Sequence, residues 1–148
     1  MTDFVGSLTG PNRPVTTTDL VALAEDIVSN SSGLTGMALK GGLAAARKID
    51  ADIVTKIINR ILPDVARALE PHWTAFEAAG DPNADFGTYL DAHADEVTPD
   101  LLKVADSNAE GATSPALQKI YKGIRVNAES QVKDHLTQIG TVLQEHVS

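Results

Sequence analysis

Residues 81–96, DPNADFGTYLDAHADE, place oxygen-bearing side chains at Asp81, Asn83 and Asp85. That is the spacing with which an EF-hand loop begins to wrap a calcium ion. Such a loop next needs glycine at its sixth position and a bidentate glutamate at its twelfth; here those positions hold Phe86 and Ala92. Gly87 arrives one residue late, and a loop lengthened by one would end on His93, a poor ligand for a hard cation. Only an irregular loop could recruit Asp91 or Asp95 instead. The same residues read more simply as an acidic link between helices. Asp81-Pro82 opens a turn, Asp85 caps the next helix, and Phe86 and Tyr89 face inward three residues apart. Asp81, Asn83 and Asp85 are kept as a candidate metal site, second to that reading.

Other chemistry is sparse. On a helix His93 would point away from Asp91 and Asp95, and the remaining histidines, His72, His135 and His146, form neither HxxxH nor HExxH. Ser7 lacks the glycine two residues before it that a nucleophile elbow requires. Lys40 precedes Gly41 rather than following it, so GLTGMALKGG is no Walker loop, and GxGxxG is absent. Glu70 and Glu77 could mimic a carboxylate pair, and Asp134-His135 is a dyad only in sequence. No catalytic constellation and no cofactor motif emerges, so we expect a protein that is not an enzyme. Two softer features remain. Trp73, Phe76, Phe86 and Tyr89 gather four of the chain's six aromatics; they could line a small apolar pocket, or form core where two helices meet. Lys119, Lys122 and Arg125, with Lys133 nearby, could grip an acidic partner, pack on the chain's own acidic segment, or edge a solvated helix.

Composition narrows the classes further. The 148 residues contain no cysteine, which removes disulfides, cysteine–zinc sites and thiol nucleophiles together. Net charge is −8, and residues 70–110 hold ten acids against one base, Lys103. Such a segment repels nucleic acid and anionic lipid and could attract a basic partner. No apolar run approaches the roughly 18 residues of a membrane span, and MTDFVGSLTG lacks the basic start and apolar stretch of a signal peptide. A cytoplasmic location is the expectation.

The elements that must position these residues read as helices throughout. Residues 1–15, with Gly6, Gly10, Pro11 and Pro14, predict an irregular arm, and Thr16 a cap for a helix ending in SNSSG at 29–33. In the next helix Ala38, Gly42 and Ala46 leave one face nearly bare, inviting another helix to approach closely. Asp50 then caps an apolar stripe, Val54, Ile58, Ile61, Val65, Leu69, Trp73 and Phe76, whose phase survives Pro63 and Pro71. That predicts one kinked element or closely coaxial segments rather than separate helices. A helix near 86–97 follows, and Thr98-Pro99 and Ser114-Pro115 open others. The last stripe, from Leu117 to Leu143, lies in a helix that would span ~46 Å if it ran unbroken from about 116 to 146, against a radius of gyration of ~15 Å for a chain this size. It must bend, at Gly123 or Gly140, or project. The reading is all-α, a single-domain bundle of about five to seven helices over residues 16–148.

DLVALAEDIVS from residue 19, LPDVARALEPHW at 62–73, FGTYL at 86–90, VTPDLLKVAD at 97–106 and LQKIYKGIR at 117–125 carry a resemblance. The chain resembles a family of small, uncharacterised all-helical proteins from actinobacteria, a domain of unknown function. The resemblance runs from about residue 15 and implies a single cytoplasmic α-helical domain, with no functional residues to carry over. Two functions stay open. The first is a non-enzymatic module for protein–protein contact or self-association, possible as a homodimer. The alternative is a carrier of a small apolar ligand or acyl chain in an inter-helical pocket.

Overall fold

The computed structural model describes residues 3–80, 84–111 and 115–147, and among them there are eight helices and no strand. They are α1 (Phe4–Thr9), α2 (Arg13–Asn30), α3 (Gly33–Ile49), α4 (Ile53–Ala79), α5 (Phe86–Ala92), α6 (Ala94–Glu110), α7 (Pro115–Asp134) and α8 (Leu136–Glu145). Helix α4 runs unbroken through both prolines, as the phase of its apolar stripe predicts. Pro63 cannot donate to the carbonyl of Asn59, four residues back. Arg13 supplies the missing partner from α2: its Nη2 donates to that carbonyl at 2.7 Å and its Nε to Asn59 Oδ1 at 2.9 Å.

The count exceeds five to seven because the arm is ordered and two expected helices divide. Residues 4–9 form α1, capped by Asp3 Oδ1 accepting from the Gly6 N–H at 2.9 Å. Phe4 and Leu8, one turn apart, are buried to 1% and 0% exposure. Burying two such side chains stabilises the fold by about 1.5–3 kcal/mol each, which offsets the ordering of an arm rich in glycine and proline. Helix α2 therefore starts before Thr16, which is fully buried and donates its hydroxyl to the Asn12 carbonyl at 2.8 Å. Likewise Asp50 closes α3, and the residue flanking the start of α4 is Asp52.

Both divisions fall at histidines and share one chemistry. His93 separates α5 from α6, and its Nδ1 donates to the Tyr89 carbonyl at 2.9 Å while its ring stacks on Tyr89. His135 separates α7 from α8, and its Nδ1 donates to the Gln131 carbonyl at 2.7 Å. In each case the imidazole bonds the carbonyl four residues back, and the backbone leaves helical dihedrals, with ψ of 29° and 13°. The C-terminal stripe thus bends at His135 rather than at Gly123 or Gly140. Thr98-Pro99 lies inside α6 instead of opening it. Ser114 is outside the described residues, with Pro115 heading α7.

The core joins α1, α4, α5, α6 and α8: Phe4 stacks on Trp73, and Phe86 meets both edge-on at 5.7 and 4.9 Å between ring centroids. Helices α5 and α8 approach until backbone touches backbone. A Cβ added at Gly140 would lie 2.4 Å from Gly87 Cα, and one added at Gly87 would lie 2.1 Å from the Thr137 carbonyl oxygen. Exposed Gly41 of α3, by contrast, has open space around its would-be Cβ. Gly140→Ala should lower unfolding free energy by about 2–3 kcal/mol through overpacking, whereas Gly41→Ala should raise it by up to about 1 kcal/mol through helix propensity. Urea denaturation of the two variants checks both signs.

Candidate functional site

Helices α3, α4, α6 and α7, with Val28 of α2, border a common space. The space between them is a cavity of about 450 Å³, partly open to solvent. Its walls are aliphatic: Leu39 and Leu43 from α3, Ile53, Ile57 and Ile61 from α4, Ile120 from α7. Small residues set its width. Gly42 and Ala46 line it from α3, Ala105 and Ala109 from α6. The bare face expected to admit a neighbouring helix thus borders space at Gly42 and Ala46, while Ala38 is exposed.

The polar residues of the lining are Lys56, Arg60, Asn108, Gln118 and Tyr121, and its charge is one-sided. Lys56 and Arg60 line it from α4, and no acidic side chain is among the described residues that do. Lys56 is hydrogen-bonded to Asp50, and that bond, with the Asp52 N–H, holds the Asp50 carboxyl below its usual range. Among the described residues Arg60 reaches only the Gly111 carbonyl, at 3.5 Å, the outer limit of a hydrogen bond. Tyr121 lines the cavity from α7 and donates its hydroxyl to Asp106 Oδ1 at 2.6 Å. Arg125 Nε donates to the same oxygen at 2.9 Å. Arg125 and Tyr121 together lower the Asp106 carboxyl, and burial, followed by the bond to Asp106, pushes the Tyr121 hydroxyl up to about 12.

The residues singled out in the sequence fall elsewhere. Trp73, Phe76, Phe86 and Tyr89 do come together, with Phe4, but their rings fill the space between them and none lines this cavity. Asp81 and Asn83 are outside the described residues. Asp85 is the N-cap of α5: its Oδ1 accepts from the Thr88 N–H at 2.7 Å and its Oδ2 from the Thr88 hydroxyl at 2.9 Å, and both bonds hold its carboxyl below the usual carboxylate range. Of the basic group, Arg125 and Lys133 pair with the chain's own Asp106 and Asp95, while Lys119 and Lys122 are exposed.

One cluster could not be read from spacing. Asp19 of α2 and Glu145 and His146 at the end of α8 bring their ligand atoms within 4.8 Å of one another, the one such group of three among the described residues. His146 Nε2 donates to Asp19 Oδ2 at 2.6 Å, and Asn12 Nδ2 donates to the His146 carbonyl at 2.8 Å. These contacts tie the start of α2 to the end of α8. The cavity was equally hidden, although its wall residues belong to apolar stripes that the sequence does show.

A raised tyrosine contributes stability that is complete below about pH 10 and is lost as pH climbs from there through about 12. With Tyr89→Phe in place Tyr121 is the only tyrosine, so tyrosinate absorbance should titrate near pH 12, and adding Asp106→Asn should lower that midpoint. A midpoint at the ordinary value near 10 would mean that Tyr121 is neither buried nor bonded as described.

No curated protein and no solved structure matches the chain. Residues 5–147 match the family model described as a family of unknown function, DUF6918, and the chain belongs to that family.

Proposed function

We propose that this protein is a non-enzymatic carrier of a small apolar molecule, held in the cavity between α3, α4, α6 and α7. The observation that carries the reading is a cavity of about 450 Å³ walled mostly by aliphatic side chains, with a few polar side chains among them. Binding pockets for small molecules typically measure ~300–1,000 Å³ and have this apolar lining with sparse polar groups. Nothing lining the cavity pairs a nucleophile with a base, which favours holding a ligand over transforming one. The aromatic cluster is the rigid support of such a site rather than its lining.

A homologous series of straight-chain alcohols tests the reading. Each buried methylene is worth about 0.8 kcal/mol, so affinity measured by calorimetry should rise about tenfold for every two carbons until the chain outgrows the space. Ala109→Leu should shorten the tolerated chain and weaken the longest members at least tenfold while leaving the urea midpoint equal or higher. A flat response along the series would sink the carrier reading.

Self-association is a second reading, favoured by Leu34 and Met37 of α3 and Val126 of α7, exposed to 86%, 72% and 82%. Two of the four basic residues already pair within the chain, so an apolar interface fits better than a charge-driven one. Sedimentation should then show a dimer that is insensitive to salt and weakened by Met37→Glu. Dissociation with rising ionic strength would instead indicate charge pairing.

A further inference from the structure

We infer that the ligand of this cavity is an amphiphile with an anionic head group, its tail between the helices and its head against Arg60. The inference rests on the carrier reading and extends it to the chemistry at the mouth. In a chain of net charge −8, chance would place acids around any opening, all the more beside α6, which belongs to the acidic segment. Yet the charged residues among the described lining are Lys56 and Arg60, both positive, one helical turn apart on the same face of α4. Of the five acids of α6, Asp106 pairs with Arg125 and Tyr121, Asp100 with His72 and Asp95 with Lys133, and none of the five lines the cavity. The two cations also differ in availability. Lys56 is spoken for by Asp50. Arg60 is exposed, pairs with no carboxylate among the described residues, and makes one contact at the limit of bonding distance.

A guanidinium offers five donors in a planar fork that matches a carboxylate, sulfate or phosphate, and such charge-assisted bonds are the strong ones. Placed at the rim of an aliphatic cavity, it fixes which end of a ligand faces water. A neutral or cationic head group leaves the fork unsatisfied or repels it. The site therefore selects for the head as well as the tail.

Calorimetry with decanoate, decanol and decyltrimethylammonium separates the two levels of the inference. Decanoate should bind about tenfold or more tightly than decanol, and the cationic homologue should bind more weakly than either. Arg60→Gln should bring decanoate down to the affinity of decanol and leave decanol unchanged, whereas Lys56→Gln should have a smaller effect. Raising ionic strength should narrow the gap between decanoate and decanol in the wild type only. Equal affinity for decanoate and decanol overturns the head-group inference and leaves the carrier reading standing. A preference for decanoate that survives Arg60→Gln overturns the assignment to Arg60. Binding by none of the three overturns the carrier reading itself, and this inference with it. Circular dichroism of Arg60→Gln, whose side chain holds no ion pair, verifies that any loss is not unfolding.

Discussion

The architecture depends on where the chain spends its few large side chains. Five of its six aromatics, Phe4, Trp73, Phe76, Phe86 and Tyr89, lie in one cluster, and the sixth, Tyr121, lines the cavity instead. Interiors pack to about the density of organic crystals, and rings reach that density easily where several helices converge. The other end must do so with leucine, isoleucine, valine, alanine and glycine. Around α3 those residues are too short to close the gap. One decision about volume thus yields both a rigid core and a cavity beside it.

A magnitude indicates what that cavity means. Sealed and empty, it would cost on the order of 24 cal/mol per Å³, or about 10 kcal/mol for a volume of about 450 Å³. That equals the whole stability of an ordinary domain, ~5–15 kcal/mol. A dry, closed void of this size is therefore excluded on energetic grounds, in agreement with its opening to solvent. Water is a poor tenant too, because it needs two to four polar partners and the walls are aliphatic. An apolar occupant removes both penalties at once.

What could be read from the chain, and what could not, divides along the range of the interaction. Asp85 capping α5, the inward turn of Phe86 and the continuity of α4 through Pro63 and Pro71 are consequences of residues within one or two turns, and each is visible as spacing. The irregular reading of residues 1–15 failed because glycine and proline speak for local entropy, while Phe4 and Leu8 answer to a core built by α4 and α5. The breaks at His93 and His135 were missed because histidine carries no conventional stop signal; only its bond to the carbonyl four residues back reveals it. The rescue of the Asn59 carbonyl by Arg13 and the contact of Gly87 with Gly140 each join residues more than forty apart. The cavity is harder still, since spacing records which side chains face inward but not whether their summed volume suffices.

Helix α3 shows how composition, stability and function meet. Its glycines at 33, 36, 41 and 42 each lower helix propensity by about 1 kcal/mol against alanine. Left to itself this segment would be the least helical of the long elements, so its order is drawn from neighbours. Those neighbours are chiefly α7 and, to a smaller extent, α2 and α4. A ligand in the cavity would add contacts to Leu39, Leu43 and Ala46, strengthening the wall that is weakest on its own. Because such a ligand binds the folded state and not the unfolded chain, occupancy stabilises the protein by an amount that grows with the logarithm of ligand concentration over its Kd. Of these glycines Gly42 lines the cavity, so Ala or Leu there would trade the ligand's space for intrinsic helicity. The apparent defect of α3 as a helix and the existence of a site beneath it are the same property of the sequence.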